Sequence, residues 1–228
     1  MAAAVWMLYA SDRLLDARSS DQHALEVRHH FHHRHRTAFL AGIAGASVLL
    51  ATLLPRIPQA AIHLYLILGG LVFGYFVVIH ATESAHRLPK EIAVGVCFAA
   101  AVFIPTVARD PSLRAALLPA ALLFASLCSL NCLFIYAWEH PSLSRQQPHS
   151  ITRFAVKRLP ALSLAVCAIS VGHAVAGGHA PWAINAAIAL AAGALLLLHV
   201  GRASRSALTL RTAADLALLT PALLVPFL

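Results

Sequence analysis

The chain has 228 residues, 60% of them hydrophobic and only 11% charged, with a mean hydropathy of +0.76. Soluble domains carry about 25% charged residues, so the composition excludes an ordinary water-soluble domain and describes a multi-pass integral membrane protein. The net charge of +8 suggests nucleic acid at first sight, but the cations fall in the loops between apolar segments, where they report topology; no nucleic-acid partner is expected.

At ~20 apolar residues per span, the chain reads as one transmembrane domain, residues 1–228, with eight apolar segments. The first, Met1–Ala10, is too short to cross ~30 Å of hydrocarbon at ~1.5 Å per residue. It is expected to be the end of a helix whose beginning lies upstream. No positively charged n-region marks a cleavable signal peptide. A polar stretch follows, Ser11–Arg36. The second segment, about Thr37–Leu54, offers Ala41, Gly42, Gly45 and Ala46 as small packing faces. Pro55 and Pro58 then punctuate a tight turn around Arg56. The third, about Ala60–Ile79, holds Gly70-Leu-Val-Phe-Gly74, a spacing that lets helices approach within one chain or between two.

After a short polar loop, His80–Lys90, the fourth segment covers about Glu91–Ala108. Arg109-Asp110-Pro111 is a turn. The fifth segment, about Ala115–Trp138, carries Asn131 in its last third. Glu139–Lys157 is the second long polar stretch. The sixth and seventh segments, about Leu159–Ala176 and Ala183–Val200, flank a Gly177-Gly178 turn. Gly201–Arg211 is a polar loop, and the eighth segment, about Thr212–Leu228, is broken by Pro221 and Pro226. Every span is expected to be helical, because lipid offers no partner to an open backbone group. The fold class is therefore all-α, a polytopic transmembrane helix bundle.

Lys and Arg fix the orientation. Alternate loops carry five (Arg13, Arg18, Arg28, Arg34, Arg36), two (Arg87, Lys90), four (Arg145, Arg153, Lys157, Arg158) and three (Arg202, Arg205, Arg211). The other side holds only Arg56, Arg109 and Arg114, a split of fourteen to three. The cation-rich loops are expected to be cytoplasmic, and the membrane to be a plasma membrane of the bacterial inner-membrane kind.

The chemistry concentrates where the first segment ends, at Tyr9-Ala10-Ser11-Asp12-Arg13-Leu14-Leu15-Asp16. On a continuing helix, i,i+4 spacing stacks Asp12 above Asp16. Two adjacent carboxylates repel unless a cation lies between them, and hard divalent ions bridge carboxylates to phosphates. Alternatively the two aspartates cap a membrane helix and pair with Arg13 and Arg18. A similar phrase, Tyr136-Ala137-Trp138-Glu139, opens the second long loop. Glu139 follows Asn131 by eight residues, so the two share one helical face.

In these two loops the chain resembles the UbiA superfamily of intramembrane prenyltransferases. That family carries acidic motifs, NxxxDxxxD and a second close to DxxxD, after the second and sixth of nine helices. If Met1–Ala10 is the tail of the family's second helix, the segment ending at Trp138 is its sixth. The topological likeness then spans essentially the whole chain. Asp12 and Asp16 match the first motif, while Leu8 stands at its Asn position. Near Tyr136 only Glu139 is acidic, and His140, Pro141, Ser142, Leu143 and Ser144 stand where further aspartates are expected.

The resemblance implies a prenyltransferase in which Mg²⁺ on Asp12 and Asp16 holds a polyprenyl diphosphate. The prenyl group passes to a lipophilic or aromatic acceptor within the lipid bilayer. Arg13, Arg87 and Lys90 would stabilise the leaving diphosphate, and Asn131, Tyr136 and Glu139 would line the substrate cavity. The missing aspartates motivate a different reading, a non-catalytic relative that binds lipid or a partner. A third reading, a metal or small-solute transporter, uses Arg28-His-His-Phe-His-His-Arg-His-Arg36. There the arginines repel a cation and suit an anionic lipid surface better. His63, His173 and His199 do not pair at facing depths on one helix. Cys97, Cys128, Cys132 and Cys167 lie in apolar segments and read as core residues. No GxxxxGK[ST], GxSxG or HExxH occurs.

Overall fold

The computed structural model describes residues 3, 6, 7, 10, 11, 14, 34–81, 89–140, 149–176 and 182–220. Among these residues there is no strand. Eight α-helices follow one another: α1 (Arg36–Leu53), α2 (Gln59–Ala81), α3 (Lys90–Arg109), α4 (Arg114–Glu139), α5 (Ser150–Lys157), α6 (Leu159–Ala176), α7 (Trp182–Val200) and α8 (Ala207–Ala217). Five stretches, Arg36–Arg56, Lys90–Arg109, Pro111–Glu139, Leu159–Ala176 and Trp182–Val200, are long and apolar enough to cross a membrane; Gln59–Tyr75 is a shorter apolar stretch. The chain is thus an integral membrane protein of helical-bundle architecture.

The chain divides into two compact units, Met1–Ile62 and His63–Leu228, the boundary falling within α2. In the first unit, α1 buries none of its residues. Gly42 accepts the indole of Trp6: a Cβ there would meet Trp6 Cη2 at 2.6 Å. Trp6 also stacks on Phe39, with ring centroids 6.4 Å apart. Pro55 heads a 3₁₀ turn, Leu54–Arg56. The Pro58 carbonyl then accepts the first backbone N–H groups of α2, from Ala61 and Ile62. Prolines suit these positions because the first helical N–H groups have no intrahelical partner in any case.

The second unit is built around α4. Leu123, Leu127, Leu130, Leu133 and Phe134 of α4 pack with Leu159 and Val166 of α6, Ile188, Ala191, Ala192 and Leu195 of α7, and Ala214 and Ala217 of α8. Helix α3 lies against α4 through Glu91, Gly95 and Ala99, all buried and spaced by four. Gly95 is what allows the approach. A Cβ there would stand 2.8 Å from the Ser129 Cα and closer still to its backbone nitrogen. Between α6 and α7 the fully buried Ser163 hydroxyl donates to the Ala192 carbonyl at 2.8 Å. Tyr65 of α2 donates to the Ala101 carbonyl of α3 at 3.1 Å.

Three sequence expectations change. The polar stretch 139–157 ends in a helix, α5, which His149 caps by accepting from the Ile151 N–H. The loop after α7 is shorter than expected: Ser206 caps α8, accepting from the Thr209 N–H at 3.1 Å, so Arg211 is helical. Among the described residues, the last apolar segment is helical to Ala217 and turns over 218–220. Its residues 221–228 lie outside the described residues. Gly70 and Gly74 of the glycine spacing have no described atom within 4 Å of an added Cβ, so they pack against nothing described in this chain.

Candidate functional site

Where α3 begins and α4 ends, the second unit gathers polar side chains that a lipid-facing surface does not tolerate. Glu91 sits in the first turn of α3, on the face that Gly95 and Ala99 press against α4, and is only 7% exposed. Its carboxylate accepts from the Thr152 hydroxyl of α5 at 3.1 Å, and Thr152 is itself 2% exposed. Burying a carboxylate here costs energy unless it is hydrogen-bonded, and α5 supplies that bond.

On the other side of α4, two polar rungs join it to α8. Glu139 accepts from Arg211 at 3.1 Å. Deeper in the bundle, the Asn131 amide nitrogen reaches Asp215 Oδ1 at 3.5 Å. Asn131 and Glu139 are eight residues apart on α4 and Arg211 and Asp215 four apart on α8, so each pair shares a helical face. The rungs run in opposite senses along the two helices, which are therefore antiparallel here. The last turn of α4 also stacks Tyr136 on His140, centroids 4.7 Å apart. One turn round, Trp138 Nε1 donates to His199 Nδ1 of α7 at 3.2 Å. Trp is a donor only, so this bond assigns His199 its acceptor at Nδ1.

The residues singled out from the sequence are distributed as follows. Asn131, Tyr136 and Glu139 lie in this cluster. Lys90 is exposed at the start of α3, beside buried Glu91. Asp12, Arg13, Asp16 and Arg87 lie outside the described residues, although Ala10, Ser11 and Leu14 around the aspartate motif are helical. Sequence reasoning missed Glu91, Thr152 and Arg211. Glu91 carried a signal: it opens an apolar segment at i, i+4, i+8 with Gly95 and Ala99, the spacing of a buried face. Arg211 was counted only as a loop charge.

Among the described residues, no three His, Cys, Asp or Glu side chains converge as a metal-holding group. Glu91 and Glu139 are engaged by Thr152 and Arg211. Away from the polar cluster, an apolar cavity of about 200 Å³ opens between α3, α4 and α7, lined by Val102, Phe103, Phe124, Leu127, Ile184 and Ile188 among others. No family model, curated protein or solved structure matches the chain.

Proposed function

We propose that this chain is a UbiA-like intramembrane prenyltransferase. It would move a prenyl group from an isoprenoid diphosphate to a lipophilic or aromatic acceptor. The observation that carries the reading is Asp12 and Asp16, four residues apart just past an apolar segment and on the cation-rich side of the charge count. The polar cluster of α3, α4, α5 and α8 supports it. Ionisable side chains within a membrane bundle face protein or water and mark sites of binding or transport. In this reading the cation-rich loops are cytoplasmic.

Asp12 and Asp16 would hold Mg²⁺, whose charge offsets that of the bound diphosphate. Arg13, Arg87 and Lys90 would add positive charge along the departing diphosphate. Within the second unit, Tyr136, Asn131 and Glu139 would line a polar face for substrate. The apolar cavity among α3, α4 and α7 suits a hydrocarbon group.

The test is the affinity of a non-hydrolysable prenyl diphosphate analogue, measured with and without Mg²⁺. Carboxylates must be ionised to ligate, so binding weakens as pH falls toward the carboxylate range. Asp12→Asn should remove most of the Mg²⁺-dependent part. Affinity that ignores both the metal and the substitution rules the reading out.

A second reading has its own observation. Glu139, the nearest acid to Tyr136, is held by Arg211, as a structural pair would be. On this reading the chain is a non-catalytic membrane protein that binds lipid or a partner, and any binding of the analogue is the same with and without Mg²⁺.

A further inference from the structure

We propose that α5 is an interfacial helix that binds an anionic phospholipid of the surrounding bilayer, with Ile151 and Phe154 against its acyl chains and Arg153 and Lys157 against its headgroup. The level of α5 follows from its neighbours. It ends at Lys157, and α6, long and apolar enough to cross a membrane, begins at Leu159. The single residue between them, Arg158, leaves no slack to carry α5 into bulk water. Its Thr152 donates to Glu91 in the first turn of α3, another helix of spanning length. Helix α5 therefore lies where the apolar helices end and hydrocarbon gives way to headgroups.

The bond to Glu91 also fixes which face of α5 points outward. Thr152 and Ala155 are buried and Val156 is half-buried. At ~100° per residue, the rest of the helix surface then divides in two. Ile151 and Phe154 lie together on one flank, and Arg153 and Lys157 on the other. All four are exposed, Ile151 by 48% and Phe154 by 62%. A fully hydrated helix gains nothing from two large apolar side chains held side by side in water, and a helix sunk in hydrocarbon does not tolerate two cations. An apolar flank beside a basic one is the pattern of a helix lying in the membrane interface. Arg158 adds a third cation, its guanidinium carbon 6.0 Å from the centre of the Phe154 ring.

Charge selects the occupant. Among the described residues, no ion pair engages Arg153 or Lys157. A phospholipid supplies an apolar and an anionic half in one molecule, in the order in which the two flanks need them. A headgroup with net negative charge is required, because a zwitterionic one carries its own cation. Neither Asp12 nor Asp16 takes part, so the site stands apart from the proposed diphosphate chemistry.

Two measurements on the full chain test this. In vesicles of phosphatidylglycerol and phosphatidylcholine, a spin label on Phe154→Cys should collide mainly with dissolved oxygen, which concentrates among acyl chains. A label on Arg153→Cys should collide mainly with a water-soluble nickel chelate. The parent chain, labelled in the same way, supplies the background of the native cysteines. In detergent, spin-labelled phosphatidylglycerol should bind more tightly than phosphatidylcholine with the same chains. Arg153→Gln and Lys157→Gln should each weaken it by about fivefold and leave phosphatidylcholine unaffected. Glycerol phosphate, the same anion without acyl chains, should not displace it. A label at position 154 that meets the nickel chelate as readily as one at position 153 overturns the proposal, because the apolar flank is then solvated or covered by protein. Equal affinity for the two lipids, or indifference to both glutamine variants, overturns it by removing the charge contact. Displacement by glycerol phosphate overturns it by making the ligand a soluble phosphate. All three substituted positions are exposed, so these outcomes do not turn on the packing of the core.

Discussion

Thr152 is the residue on which the buried Glu91 carboxylate depends. Thr152→Val keeps the shape and removes the donor, leaving a charged acceptor unsatisfied in a protein interior. The expected loss is about 1–3 kcal/mol, read as a lower midpoint in a detergent thermal-unfolding assay. Restoring the hydroxyl with Thr152→Ser should recover most of it. A valine variant as stable as the parent would show that Glu91 finds another partner. Glu139 and Arg211 are each 28% exposed on their side chains, so their pair is partly screened and its coupling is expected near the upper end for exposed pairs, about 1 kcal/mol. A double-mutant cycle measures it: Glu139→Gln and Arg211→Gln should each cost stability, and the double variant less than their sum. Strict additivity would mean the pair contributes nothing.

Helix packing here separates two glycine motifs that look alike in the sequence. Gly95 of α3 stands against the Ser129 backbone, whereas Gly70 and Gly74 of α2 face no described atom. Gly95→Leu must therefore push α3 off α4 and should cost at least about 1–3 kcal/mol, as overpacking does. Gly74→Leu should change the thermal midpoint little. Equal effects at the two sites would refute the assigned packing. The spans themselves were legible because ~20-residue apolar runs are the strongest signal a membrane sequence carries. The expected bounds of α6 and the structural ones coincide at Leu159–Ala176. What was not legible is which face of each run meets a neighbour, since in lipid both faces are apolar. That is why Gly70-Leu-Val-Phe-Gly74 read as a packing motif while Gly95 passed unnoticed. Helices α5 and α8 were blurred for the opposite reason: they are short, and their caps at His149 and Ser206 sit among polar loop residues.

At the scale of the whole molecule, the site was legible as residue types and not as partners. Asn131 and Glu139 drew notice by their shared face. Arg211 and Asp215 become their counterparts only once α8 is laid antiparallel to α4, and a contact across 72 or 84 residues leaves no local trace. The charge count, by contrast, makes a claim about the entire chain that helix parity can check. Ser112 sits in the turn before α4 and Ser204 in the turn after α7, both exposed. Between them lie three helices long and apolar enough to cross a membrane, α4, α6 and α7, and if all three cross, the two serines lie on opposite sides. Ser204 lies among Arg202, Arg205 and Arg211, and Ser112 between Arg109 and Arg114, within the cation-poor set. The positive-inside tendency then predicts a cytoplasmic Ser204. The native cysteines all lie within helices α3, α4 and α6, so a membrane-impermeant maleimide should react chiefly with an introduced thiol. Ser112→Cys should label in intact cells, and Ser204→Cys only after the membrane is opened. The reverse pattern would invert the orientation and move Asp12 and Asp16 away from a cytoplasmic diphosphate. Labelling of both from outside would break the three-span parity on which the bundle rests.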